Sequence, residues 1–421
     1  MNGSAQPRVS IAVILMVVVL ATASIVGAAA QDTATRLSLL QDAAQLILSG
    51  NLDKAESNLR KVLATDPEEF HALNFLGVIR AQQHKEREGE ALFQRVIARK
   101  PKFVGAHVNL GHLYAQTKRD EEAAIQFQEA LRLDPTRSDA LSALVSVLRS
   151  QARAAVAAAD LEKGLALLLR ARKLSPQDPE VLFEFGMTAL QMSLFPDAIQ
   201  AFEESLAARK NNPDTLYGLG RAQTALSKLP EAKTSFAQFV ELRPNDASGH
   251  YALGLVLQAL QETVEARQHF EKSVELQPVQ TEAYFQLGLI DLDEKELDSA
   301  ANQFARVLQR DGKHAGALFG MGRVSFEKRE YAAAVPWLEQ ATASDASLRQ
   351  AHYYLGLTYV RIGRKDDSAR ELEIASRLER EEVEQHRIVL KILNPSDAGS
   401  VATNPAADGS APDCPTTAGP Q

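Results

Sequence analysis

Proline recurs in this chain at a fixed interval. Pro67, Pro101 and Pro135 stand 34 residues apart, and Pro244 and Pro278 repeat the spacing. Such a period means one supersecondary unit used many times, so the length of 421 residues does not translate into a count of globular domains. With each proline near the end of a unit, frames begin at Arg36, Phe70, Val104, Ser138, Pro179, Pro213, Ala247, Thr281, Ala315 and Arg349. All run for 34 residues except the fourth, which spans 41. Position eight is Gly77, Gly111, Gly186, Gly220, Gly254, Gly288, Gly322 and Gly356, preceded in most frames by Leu. Position 20 is alanine in seven frames, and position 24 is Phe93, Phe127, Phe202, Phe236, Phe270 and Phe304. A large apolar residue facing one without a side chain lets two helices approach closely, so small and large surfaces interlock. The abundance of Ala, Leu, Glu, Gln and Arg favours helix throughout.

This L-G…Y…A…F…P spacing resembles the tetratricopeptide-repeat (TPR) family. The frame from Val104 matches best, at Leu110, Gly111, Tyr114, Ala123, Phe127, Ala130 and Pro135, and the resemblance covers residues 36–382. It implies an all-α fold, a right-handed superhelical solenoid of about ten TPR helical hairpins, acting as a non-catalytic scaffold that binds a protein or peptide. Asp42 breaks the apolar position seven of the first frame, and Lys210, Gly312, Ala346 and Arg380 replace the terminal proline. Pro196 and Pro230 mark starts of second helices, where a missing amide is tolerated, and Pro336 is expected in the first turn of its helix. The seven extra residues of the fourth unit fall in Gln151 to Asp160, an Ala-rich stretch expected to lengthen the hairpin into a protruding elbow. No hairpin buries its apolar face alone, so the ends need caps, and Val383 to Leu393 is expected to be a C-terminal capping helix. Residues 394–421 are rich in Pro, Ala, Gly and Ser, contain no Leu, Ile or aromatic residue, and are expected to be disordered.

The N-terminus suggests export. Arg8 precedes an almost wholly apolar run, Ile11 to Val26, and small residues at Ala28 and Ala30 suit cleavage between Ala30 and Gln31. Residues 1–30 then form a signal peptide and the repeats are periplasmic or secreted. The alternative is an uncleaved anchor, since residues 11–30 are just long enough to cross a bilayer, with the repeats again outside the cytoplasm. A membrane partner is expected only if that segment is retained. The single cysteine, Cys414, allows no intrachain disulfide and no multi-cysteine metal site. A net charge of −8, more negative still without Arg8, disfavours nucleic acid as a partner.

No catalytic or cofactor motif is present. His107 and His112 are five apart, not on one helical face, and there is no H-E-x-x-H, G-x-S-x-G or P-loop. His107, His250 and His352 share position four and read as packing residues rather than metal ligands. Gly218-x-Gly220 and Gly320-x-Gly322 lack a third glycine, and the repeat accounts for one of each pair.

What remains is a surface. In the family resembled here, the first helices line the concave face, and positions two, five, six, nine, 12 and 13 reach the ligand. Position five gives Phe183, Tyr217, Tyr251, Phe285, Phe319 and Tyr353; position nine gives Met187, Arg221, Leu255, Leu289, Arg323 and Leu357. An aromatic strip punctuated by two arginines suits a peptide with apolar anchors and a carboxylate. Position five also packs in part against the next unit, so the ladder has a structural reading beside the binding one. Asn74, Val108 and Ser142 break it in the earlier frames, and Asn109 alone matches the asparagine ladder of glycosyltransferase-linked relatives. A structural subunit of an envelope assembly, using its convex face or ends and open to self-association, is the alternative reading.

Overall fold

The computed structural model describes residues 27–393. The apolar run from Ile11 to Val26, the tail 394–421 and Cys414 lie outside the described residues, as do the side chains of Ala30, Gln31 and residues 385–393. The described chain contains twenty α-helices and no strand, and none of these helices is long and apolar enough to cross a membrane. It divides between Pro244 and Asn245 into two compact units.

The first unit is a stack of six antiparallel hairpins. They are α1 (Gly27–Leu48) with α2 (Leu52–Thr65), α3 (Phe70–Gln82) with α4 (Glu86–Arg99), and α5 (Val104–Gln116) with α6 (Asp120–Leu133). Then come α7 (Ser138–Ala157) with α8 (Leu161–Leu174), α9 (Pro179–Gln191) with α10 (Phe195–Ala208), and α11 (Pro213–Ala225) with α12 (Leu229–Leu242). The second unit stacks four: α13 (Ala247–Ala259) with α14 (Thr263–Leu276), α15 (Thr281–Asp293) with α16 (Leu297–Leu308), α17 (Ala315–Glu327) with α18 (Tyr331–Ser344), and α19 (Arg349–Arg361) with α20 (Lys365–Leu393). Each unit is thus a run of solenoid repeats. Residues 383–393 continue α20 rather than forming a helix of their own.

Local chemistry sets the helix ends. Asp178 and Asn212 accept hydrogen bonds from the first free amides of α9 and α11, and a proline at the first helical position follows each cap. Pro196 and Pro230 sit in the first turns of α10 and α12 as expected. Pro336 does not: α18 begins at Tyr331, which puts the proline in the second turn. There its absent N–H removes the helical bond to the carbonyl of Ala332.

The core is a series of rings seated on glycines. A Cβ built on Gly77, Gly111, Gly186, Gly254 or Gly288 would meet the phenylalanine of the same hairpin at 2.6–2.7 Å. Gly322 and Gly356 meet Leu338 and Leu372 in the same way, and the equivalent places of the first hairpin hold Ala43 and Leu59, both fully buried. The first glycines of the G-x-G pairs, unexplained by the repeat, have the same cause: Gly218 abuts Phe202, and Gly320 abuts Phe304, the ring of the preceding hairpin in each case.

The fourth hairpin differs from the sequence expectation. Its second helix keeps 14 residues, while α7 has 20 against 13 in α5, so the whole insertion is helical. The Ala-rich segment is not a protruding elbow. Ala152 and Ala155 are buried, and a Cβ on Gly164 of α8 would meet Val156 at 2.7 Å. The extra length is absorbed as an offset between neighbours. Asn74 at position five bonds Asn109 at position six, 3.1 Å away, whereas Arg149 at position 12 bonds Glu184 at position six, at 2.8 and 3.0 Å. Hence α9 lies almost two turns farther along α7 than α5 lies along α3, roughly 10 Å at the α-helical rise.

Every hairpin turn contains one residue with left-handed backbone, and in eight of the ten turns it is not glycine. Ala159 is the plainest, at φ 61° and exposed, with no side chain able to compensate. Left-handed alanine carries about 1–2 kcal/mol of strain, part of which glycine gives back as unfolded-state entropy. Ala159→Gly should therefore stabilise the first unit by about 0.5–1 kcal/mol in urea denaturation; a loss of stability would contradict this turn geometry.

Candidate functional site

The position-five aromatics do not form a uniform exposed ladder. In the first unit Phe183 is half-buried with its ring 6.3 Å from Phe202, and Tyr217 packs at 5.1 Å from Phe239 and 5.6 Å from Phe236. In the second, Tyr251 lies 5.9 Å from Phe270 and Phe285 lies 6.1 Å from Phe304 and 5.0 Å from His314. Phe319 is buried, 6% exposed, while Tyr353 is 46% exposed. The gradient has a simple cause. Phe285 and Phe319 are covered by the following first helix, through Gly316 and Tyr354, whereas among the described residues no first helix follows α19. The inner rungs are thus partly covered by neighbouring rings, and Tyr353 is the most exposed of the six.

Position nine is more informative. Met187, Leu255, Leu289 and Leu357 are half-buried on the same face, one helical turn beyond position five. Arg221 is exposed and makes no ion pair among the described residues. Arg323 is half-buried, with its guanidinium carbon 5.2 Å from the ring of Tyr354 and 6.0 Å from that of Phe319. Its Nε is buried and has no hydrogen-bond partner among the described residues. The other half-buried arginines are all paired, among them Arg80 with Glu56, Arg119 with Glu90, Arg149 with Glu184, Arg172 with Glu204 and Arg267 with Asp291. A guanidinium held between aromatic faces without an anion is a charge-assisted donor awaiting an acceptor.

Sequence reasoning missed part of this cluster. Tyr354 stands at position six, which the aromatic pattern of position five does not include, yet its ring supports Arg323 and meets Phe319, Phe326 and Tyr353 edge-on at 5.4–5.7 Å. The signal available was two adjacent tyrosines at positions five and six of the last frame. In the first unit, the face beside Phe183 is already neutralised, since Glu184 is shared by Arg149 and Arg153. Asn74 and Asn109 bond each other rather than facing outward.

The position-four histidines are buried and bonded. His107 Nδ1 meets Gln126 at 2.9 Å, His352 Nδ1 meets Glu371 at 2.6 Å, and His250 Nδ1 meets His269 Nδ1 at 2.9 Å. Among the described residues no group of three His, Cys, Asp or Glu is placed to hold a metal ion. The His250–His269 pair works only while one ring donates and the other accepts. Burial, and then the charge of His250, lower the pKa of His269 below its ordinary 6.5. The unfolded chain thus binds the proton more readily, and the stability that the neutral ring contributes is whole above pH 6.5 and lost as pH falls through the lowered folded value. Melting temperature should therefore drop more between pH 7.5 and pH 5 in the wild type than in His269→Gln, which copies Gln126; equal drops would contradict the assignment.

A model of the tetratricopeptide repeat matches residues 82–138, 149–214, 217–281 and 285–349, more than half of the chain. The chain belongs to the tetratricopeptide-repeat family. TPR proteins bind proteins or peptides and are in general non-catalytic. Similar solved structures include MamA, with 23% identity, a TM-score of 0.38 and coverage of 39% of this chain and 96% of that one. YrrB, described as a TPR protein with an unusual peptide-binding site, has 25% identity and a TM-score of 0.40, over 44% and 95%. The Cut9–Hcn1 hetero-tetramer of the APC/C has 11% identity and a TM-score of 0.44, over 83% and 95%. No curated protein matches this TPR chain.

Proposed function

We propose that this TPR protein is an interaction scaffold outside the cytoplasm that holds a partner segment on the first-helix face of its second unit. The observation that carries this reading is Arg323, buried at Nε, flanked by Phe319 and Tyr354, and without an anion. Tyr353, whose ring is the most open of the strip, meets Tyr354 at 5.7 Å, and Leu357 lies one helical turn beyond it. A segment with a carboxylate flanked by apolar side chains satisfies both. Tyr251, Leu255, Phe285 and Leu289 extend the apolar edge, and Phe183, Met187, Tyr217 and Arg221 form a shorter counterpart in the first unit.

The inner rungs are poor test sites, because truncating Tyr251 or Phe285 also strips packing from Phe270 or Phe304. The test is a pull-down with the exported form, comparing wild type with the Tyr353→Ala/Leu357→Ala double variant at matched melting temperature. Loss of the co-purifying partner supports the reading; capture at wild-type level by a folded double variant overturns it. The location has its own check. N-terminal sequencing of the exported protein should begin at Gln31, and recovery of the repeats only from the cytoplasm would refute export.

A further inference from the structure

An open cavity of about 470 Å³ lies at the junction of the second and third hairpins of the first unit, sharing no residue with the strip. It is lined by Phe70, Arg99, Lys100, Pro101, Lys102 and Phe103. Phe70 and Phe103 meet edge-on at 5.1 Å, with His71 against both, and the ring of Phe103 folds back over Gly105. The walls are apolar, and the volume falls in the range of real ligand pockets.

The rim is cationic, in a chain whose net charge is −8. Nearby acids have ion-pair or hydrogen-bond partners: Glu68 pairs with Arg95 and, through an Oε2 that accepts no hydrogen bond among the described residues, with Arg99 at 3.5 Å, and Glu69 caps α3 through the amide of Ala72 at 2.6 Å while bonding His71. Lys100 lies over the Phe70 ring at 5.6 Å, and neither it nor Lys102 has an ion pair among the described residues. A third observation is independent of both. Phe103 occupies the N-cap of α5, where Glu69, Asp178, Asn212, Asp246 and His314 supply side-chain acceptors in other first helices. The first-turn amides of α5 therefore have no side-chain acceptor and leave partial positive charge beside the lysines.

We infer that this junction is a second docking site, which takes one large apolar side chain of an acidic partner segment. Its flanking carboxylates pair with Lys100, Lys102 and the first turn of α5. A peptide fits better than an anionic membrane, because both rings are half-buried walls of a concavity rather than projecting anchors.

The probe is a fluorescein-labelled Asp-Asp-Trp-Asp-Asp peptide titrated with the full exported chain in fluorescence anisotropy. Controls are its Trp-to-Ala and Asp-to-Asn forms, and phosphatidylglycerol vesicles. Phe103→Asp removes one wall while installing the cap that α9 and α13 already use, so it should keep or raise the melting temperature and weaken the probe at least tenfold. Lys100→Glu/Lys102→Glu should weaken it as much. Absence of saturable binding, equal binding of either control peptide, or binding to vesicles alone overturns the site. So does undiminished binding by the double lysine variant, even if Phe103→Asp fails to fold.

Discussion

Phe202→Ala is expected to destabilise the first unit by about 3–5 kcal/mol, the range for deleting a buried ring. Phe202 is fully buried and is gripped from two sides, because a Cβ on Gly186 would meet it at 2.6 Å and one on Gly218 at 2.7 Å. The same ring therefore closes its own hairpin and joins it to the next. Loss of a shared ring in a nearest-neighbour array should break cooperativity as well as lower stability, so urea unfolding should split into two transitions. Gly186→Ala tests the other side of the contact and should cost about 1–3 kcal/mol through overpacking. Combining Gly186→Ala with Phe202→Leu recreates the Ala43 and Leu59 arrangement of the first hairpin, so the pair should be less harmful than the sum of its parts.

Arg323→Gln should weaken capture of the natural partner by about 10- to 100-fold, the effect of removing a hydrogen bond to a charged group worth about 1.5–3 kcal/mol. The same change should leave the melting temperature unchanged or slightly higher, because the wild-type Nε is buried without an acceptor. These opposite signs separate a binding role from a packing role. A packing residue would lose stability on truncation, and Arg323 offers only its stem and two ring contacts to lose.

The hairpin array was legible because the glycines and phenylalanines that recur in the frames are the two halves of one contact. The sequence could not reveal where seven extra residues go. Their Ala-rich composition permits either a longer exposed turn or a longer buried helix, and the Gly164–Val156 contact and the Arg149–Glu184 pairing decide for a longer helix with a shifted neighbour. Pro336 was misplaced by one turn because the frame fixes where a unit begins more closely than where each helix begins. On the strip, position five was visible but its exposure was not. Cover depends on the next first helix, which makes aromatics at the same repeat position a buried Phe319 and an open Tyr353. Arg323 was visible as a residue type, but its lack of an anion is a property of three dimensions. The Phe70 and Phe103 pocket is not legible in the repeat, because both residues lie at frame boundaries, where the repeat prescribes no residue type.

The most direct measurement is a double-mutant cycle on the isolated partner segment, by titration calorimetry. Wild type and Arg323→Gln are each titrated with the native segment and with a version whose carboxylate is converted to the amide. A coupling energy above about 1 kcal/mol is predicted, as for residues in direct contact. A coupling near zero, with both single changes acting independently, would contradict the assignment of Arg323 as the carboxylate-binding centre of the second unit.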